Sequence, residues 1–296
     1  MYHAHAPFVK AHKKPPLHTP YPCGIFFRGK RVNCKIIVNV ESGNCKKANV
    51  DKIKRQVPAD SYDVQYVKGD WQAEGFDCVV ACGGDGTLST ALNRCRGQKL
   101  FYLPCGTLNE CASQRTIDSA CLVNGRYFSY VCATGSFTEI GYAAKTEDKR
   151  RWKGLAYLPQ AAKYYRCHDI PAAMCADGKS FCGRYTLIMI LKSRRCFRFN
   201  FNKGYDKLPK SYLLAVKSVG KDCLKNRIKL FFPFFRIFFC GAKPAVHKNW
   251  MLIPFDSLTL ETEKRPFCID GERAVLGGKL NFGTQPLDNP VTVLKT

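Results

Sequence analysis

Gly83-Gly84-Asp85-Gly86-Thr87 places three glycines in four positions, directly after the apolar run Asp77 to Ala81 (DCVVA) and directly before a stretch of helical character, Leu88 to Cys95. Glycines there let the main chain turn sharply and approach a ligand closely, and the helix start that follows offers free N–H groups to an anion. Phosphate is the ligand such a turn suits. A carboxylate set between the glycines repels phosphate, so Asp85 is expected to act through a divalent cation or through water that the cation holds. A second run, Pro104-Cys105-Gly106-Thr107-Leu108-Asn109-Glu110, again follows a strand-like segment, Lys99 to Leu103. Taken alone, GTLNE could be a helix cap. Two polar, glycine-bearing loops at the carboxyl ends of neighbouring parallel strands, however, converge on one crevice, where open α/β sheets bind ligands.

Gly24 to Lys30, GIFFRGK, imitates a Walker A loop but lacks its setting. No strand precedes it, no helix follows, Arg31 stands where a hydroxyl should meet the metal, and two phenylalanines would crowd the phosphates.

The elements that must position the two loops are legible on both sides of them. KIIVNV, Lys35 to Val40, reads as a buried strand, followed by a Ser42-Gly43 turn and a helix-like stretch from Lys46 to Val57. Asp63 to Val67 reads as a second strand and DCVVA as a central parallel one. After Asp118 the texture changes to closely spaced strand-like runs: Tyr127 to Ala133, Tyr185 to Leu191, Tyr212 to Val219, Trp250 to Pro254 and Ser257 to Glu261, interrupted by one helical pattern at Leu155 to Tyr165. The expected fold is therefore an α/β domain followed by a β-rich, sandwich-like one. The boundaries are a basic tail over 1–21, the α/β domain over 22–117 and the β-rich domain over 118–281, with 282–296 returning to the first.

Composition narrows the partners. Lysine and arginine number 47 against 23 acidic residues, a formal charge of +24 that attracts nucleotides, anionic membranes or nucleic acid. The 17 cysteines form no C-x-x-C pair and no disulfide framework, which fits reduced thiols in a cytosolic protein. Met1 to Pro20 lacks the apolar run of a signal peptide; its His3, His5, His12 and His18 read as part of a solvated tail rather than a metal site. Leu230 to Cys240 is strongly aromatic but about half the length needed to cross a bilayer. It reads as buried core or the wall of a substrate channel in preference to a membrane wedge.

Together these motifs resemble the diacylglycerol kinase catalytic-domain family of lipid kinases, from about Lys35 to near the C-terminus. The resemblance is carried by Asn39 with Ser42-Gly43, GGDGT at 83–87, GTLNE at 106–110, GSFTEIGY at 135–142, KGLAYL at 153–158 and the late Asp270-Gly271-Glu272, in the family's order. It implies the nucleotide-binding α/β fold shared with NAD kinases, and ATP and Mg2+ as cofactors. It places Asn39, Ser42 and Gly43 beside the nucleotide, Gly83, Gly84, Gly86 and Thr87 around its phosphates, and Gly106, Thr107 and Asn109 at the edge of that pocket. Asp85, with Glu110, would join the magnesium–water network, and Asp222 stands where some members carry a further metal ligand. Glu272 would be the general base for the lipid hydroxyl, with Asp270 close by.

The sequence departs from the family pattern in a shortened segment between Val67 and Asp77, in Glu110 where aspartate is usual, and in VGKDCLKNRIKL around Asp222. The resulting expectation is an ATP-dependent lipid kinase, with diacylglycerol the leading acceptor and phosphatidic acid the product, peripheral at the inner membrane face through anionic lipid. No nucleic acid is expected, and a homodimer is compatible. The rivals are an NAD kinase-like enzyme, whose TGSTAY-type segment Thr134 to Tyr142 echoes, and a catalytically retired basic binder of lipid or nucleic acid.

Overall fold

The computed structural model describes residues 31–107, 109–140, 164–196, 199–205 and 210–295. Val32–Thr296 form one compact unit. The N-terminal tail, the GIFFRGK run, KGLAYL and most of the Leu155 to Tyr165 pattern lie outside the described residues.

Four parallel strands open the chain: β1 (Asn33–Asn39), β2 (Ser61–Val67), β3 (Cys78–Gly83) and β4 (Lys99–Pro104). Their order in the sheet is β4-β3-β1-β2, all parallel. Every residue of β3 is buried, as its unbroken apolar run requires of a strand covered on both faces. Between β1 and β2 the chain forms a 3-10 turn, Cys45–Lys47, and then helix α1 (Val50–Gln56), whose start is capped by Asn49 accepting the Lys52 N–H. Helix α2 (Asp85–Arg94) joins β3 to β4 and buries Leu88, Ala91 and Leu92. From β1 the chain leaves toward one edge, and from β3 it leaves toward the other. The two loops that follow these strands therefore flank a switch point of the sheet, where a crevice opens.

The rest of the described chain is dominated by strands: β5 (Thr116–Val123), β6 (Arg126–Phe128), β7 (Val131–Gly135), β8 (Ile170–Ala176), β9 (Lys179–Leu191), β10 (Ser211–Lys217), β11 (Ala245–Val246), β12 (Trp250–Phe255), β13 (Ser257–Ile269) and β14 (Glu272–Val293). Strands β7, β9 and β10 alternate between two apolar clusters: Leu187, Met189, Leu214 and Val216 enter one, Ile188, Ile190, Leu213 and Ala215 the other. Both faces of this layer are thus buried, which accounts for its nearly continuous hydrophobic runs. The long strands divide their pairing. β13 meets β8 through 258–262 and β7 through 268–269, and β14 pairs with β13, with β5 and, in parallel, with β4 at Thr292 and Val293.

Two expectations are corrected. Tyr127 to Ala133 is two strands, interrupted at Ser129 and Tyr130, because Asp270 captures the main-chain N–H groups there. The aromatic run is neither simply core nor simply wall: helix α3 (Leu224–Phe238), with Pro233 inside it, buries Leu230, Phe234 and Ile237 and exposes the rest of its phenylalanines except the half-buried Phe238.

Candidate active site

Three loops meet at the carboxyl ends of β1, β3 and β4. Asn39, the last residue of β1, donates from Nδ2 to Thr87 Oγ1 at 2.9 Å, while its Oδ1 accepts the Glu41 N–H at 3.0 Å and its carbonyl the Ser42 N–H at 3.1 Å. A side chain at Gly43 would come within 2.4 Å of Thr107 Oγ1 and displace that hydroxyl, so glycine lets this turn close on the 106–107 loop with Thr107 in place. Asn44 completes the closure by donating its N–H to the Cys105 carbonyl at 2.9 Å and its Nδ2 to the Gly106 carbonyl at 3.0 Å. Sequence reasoning missed Asn44. Its place directly after the Ser42-Gly43 turn was the available signal.

Helix α2 starts earlier than the Leu88 expected, with Gly84 as its cap and Asp85, Gly86 and Thr87 forming its first turn. The GGDGT run is thus mostly a helix N-terminus, the end that favours an anion. Gly106 lies so close to Gly84 that an added Cβ would sit 2.6 Å from the Gly84 Cα. Asn109, in the left-handed region at φ 47, braces this contact: its Oδ1 accepts the Gly106 N–H at 2.7 Å and its Nδ2 donates to the Gly106 carbonyl at 2.8 Å. Asparagine tolerates that conformation better than most residues.

Asp85 is only 8% exposed, and it is no free loop carboxylate. Its Oδ2 accepts the Glu110 N–H at 2.8 Å and its Oδ1 the Cys111 N–H at 3.2 Å, fastening the first turn of α2 to the short 3-10 helix Glu110–Ser113. Burial pushes its pKa up, against the opposing pull of those N–H groups. Glu110 is buried too, with Oε2 3.7 Å from Nε of Arg195. Asp222 is engaged elsewhere. Arg227 donates to both of its oxygens, at 2.8 and 2.5 Å, and the Cys167 N–H to Oδ1 at 2.9 Å; the guanidinium holds its pKa below the usual carboxylate range.

The Asp270-Gly271 turn joins β13 to β14 with both residues at positive φ, 48 and 91, as a tight two-residue hairpin requires. The Asp270 carboxylate accepts three successive main-chain N–H groups, from Ser129 at 2.5 Å, Tyr130 at 3.0 Å and Val131 at 3.1 Å. Burial, reinforced by the charge of Asp85, still pushes its pKa up to about 6. Glu272, two residues on, is 64% exposed at its side chain and lies 3.5 Å from Arg126. Its Oε1 is 4.0 Å from the point a Cβ on Gly86 would occupy. Ser129 ties the two turns together, its Oγ donating to the Asp85 carbonyl at 3.1 Å. The structure therefore gathers the 39–44 turn, the 83–87 turn, the 105–109 loop and Glu272 at one place.

Beside this place lies a cavity of about 290 Å³ whose walls are almost wholly apolar, among them Ala133, Phe137, Leu187 and Phe234. Val131, whose N–H binds Asp270, and Cys268, two residues before it, also line the cavity. The apolar chamber thus reaches β7 and β13, the two strands against which the Asp270 turn is fastened.

No curated protein sequence matches the chain. Among solved structures, the fold is similar to the crystal structure of a diacylglycerol kinase from Bacillus anthracis str. Sterne, at 16% identity and a TM-score of 0.61, over 89% of this chain and 97% of that one. Two further structures of candidate diacylglycerol kinases from the same organism are each 17% identical, with TM-scores of 0.61 and 0.60, over 89% and 90% of this chain and 97% and 98% of theirs. At such identities the likeness concerns the fold. Through residues 33–122, which hold all three converging loops, the chain matches the family described as the diacylglycerol kinase catalytic domain, the family to which its motifs pointed.

Proposed function

We propose that the chain transfers the γ-phosphoryl group of ATP to a lipid hydroxyl, with diacylglycerol the leading acceptor and phosphatidic acid the product. One juxtaposition carries this reading. An exposed carboxylate, Glu272, faces Gly86 of a glycine-rich helix start, and an apolar cavity lies behind the hairpin that carries it, lined by Cys268 and by Val131, whose N–H binds Asp270. The helix start would hold the nucleotide phosphates through its first main-chain N–H groups, with the 106–107 loop packed against it as the edge of that pocket. Glu272 would take the proton from the acceptor hydroxyl, and the cavity would hold part of the acceptor's hydrocarbon and keep it oriented.

Direct metal coordination by the expected residues does not fit. Both Asp85 oxygens accept main-chain N–H groups, Glu110 is buried beside Arg195, and Asp222 is paired with Arg227. Among the described residues no three acidic, histidine or cysteine side chains converge on a metal position. Magnesium would arrive on the phosphates of the nucleotide, and no step here depends on a protein-held ion.

The charge of +24 supports peripheral attraction to anionic lipid, worth on the order of 1 kcal/mol per suitably placed basic residue. No helix among the described residues is long and apolar enough to cross a membrane. The test is transfer of label from γ-labelled ATP to a panel of lipid alcohols and to NAD. Labelled phosphatidic acid is the expected product. Labelled NADP would replace the reading with an NAD kinase, and no product from any acceptor would favour a retired binder.

A further inference from the structure

Helix α3 carries apolar side chains on opposite sides. One stripe, Leu230, Phe234 and Ile237, is buried in the core. The other, Leu224, Ile228, Phe231, Phe232, Phe235 and Phe239, recurs at helical spacing yet faces outward, with Phe232 67% exposed. Along it Phe235 stacks on Phe231 and on Phe239, with ring centroids 5.7 and 5.2 Å apart. A contiguous exposed apolar patch of this kind marks a binding surface.

Three features of the helix identify what covers it. The first is charge: Leu224–Phe238 contains no acidic residue, Lys225, Lys229 and Arg236 are exposed on it, and the neighbouring Asp222 is paired with Arg227. An anionic surface is attracted, whereas a second copy of so basic a chain is repelled. The second is length: 15 residues with no span of crossing length suit a helix lying in the plane of an interface. The third is continuity: Phe231, Phe235 and Phe239 are exposed and also line the 290 Å³ cavity, so the mouth of the cavity opens through this face.

We propose that α3 docks on an anionic bilayer, with its outer aromatic face in the boundary between headgroups and acyl chains. The cavity mouth then opens directly into hydrocarbon, and a lipid chain passes from the bilayer to the cavity without crossing water. This rests on the lipid-acceptor reading for the use of the cavity, but the docking itself can be measured without turnover.

The experiment uses the full chain with vesicles of phosphatidylcholine alone and of phosphatidylcholine with phosphatidylglycerol. Phe232→Glu, Ile228→Glu and the milder Phe232→Ser alter the outer face at positions that do not line the cavity. Wild type is expected to float with the anionic vesicles, less so as salt screens the charges over about 8 Å. Each glutamate variant is expected to bind about tenfold more weakly or worse, and Phe232→Ser to fall between them and wild type, with unchanged melting. Turnover on a short-chain, water-soluble diacylglycerol should be the same in variants and wild type, while turnover on long-chain diacylglycerol in vesicles falls. If wild type turns over neither substrate, the kinase reading fails, and flotation still decides the docking. Unchanged flotation in all three variants overturns the proposal. So does a dimer that the glutamate variants dissociate in a chain that ignores vesicles.

Discussion

The two aspartate–glycine turns of the crevice solve one problem differently. At Asp85-Gly86 a single carboxylate is fastened to two main-chain N–H groups and at the same time stands in the phosphate-facing turn. At Asp270-Gly271-Glu272 the duties are divided. Asp270 takes three N–H groups and is buried, and Glu272 is left exposed beside Gly86. Division of labour lets a side chain be chemically free without loosening the fold. The first turn has no such spare carboxylate, so its chemistry and its stability should fail together.

The sharpest way to break this contrast is Glu272→Gln, which is expected to lower turnover by about a hundred- to ten-thousandfold, the range for losing a general base. Melting should barely move, since an exposed pair such as Glu272 with Arg126 contributes at most about 1 kcal/mol. Early melting with normal activity per folded molecule would put Glu272 among the structural carboxylates. Asp85→Asn should behave otherwise. The amide group would turn its own N–H2 toward a buried N–H donor, at a cost of about 1–3 kcal/mol in urea unfolding, and activity should fall as well. Full stability in this variant would show that its two N–H partners find other acceptors.

A smaller effect separates the buried aspartates from the exposed glutamate by pH. In the unfolded chain Asp270 titrates near 3.8, and in the fold near 6, so the folded state holds the proton more tightly. Its contribution to stability is therefore least favourable above pH 6 and improves as pH falls through 6 toward 4. Relative to Asp270→Asn, wild type should gain about 1–1.5 kcal/mol between pH 7.5 and pH 5 in denaturant titrations. A parallel pH dependence in the two proteins would mean that Asp270 is not the titrating group. Smallest of all, Arg126→Ala should change melting by less than about 1 kcal/mol, because both partners of its ion pair are exposed. A larger loss would mean that Glu272 is held in place after all.

Much of the crevice was legible because its signals are local. Glycine spacing, the apolar run of β3 and the turn at Ser42-Gly43 each announce themselves within a few residues. What stayed hidden depends on distant partners. Nothing near Asp85 indicates that Glu110 and Cys111 will claim its oxygens, and nothing near Tyr127 to Ala133 indicates that Asp270 will interrupt the strand. Strand β5 went unread because polar residues break its apolar run, and β8 because alanines and a proline give it little strand character. In α3, phenylalanine on both sides of the helix concealed its periodicity, and Pro233 argued against a helix at all.

Strand β14 also has a bearing on how the protein reaches its fold. Thr292 and Val293 pair with Phe101 and Tyr102, which lie far earlier in the sequence, so β4 keeps an unpaired edge until β14 arrives. Contacts so distant in sequence are slow to form, because the intervening chain must first be gathered in. Refolding should therefore show an early phase for the local β1–α1–β2 unit and a late one for closure of the β4 edge. During that interval the open edge is a further point of misassociation with other chains, beside the β2 edge that the folded sheet keeps.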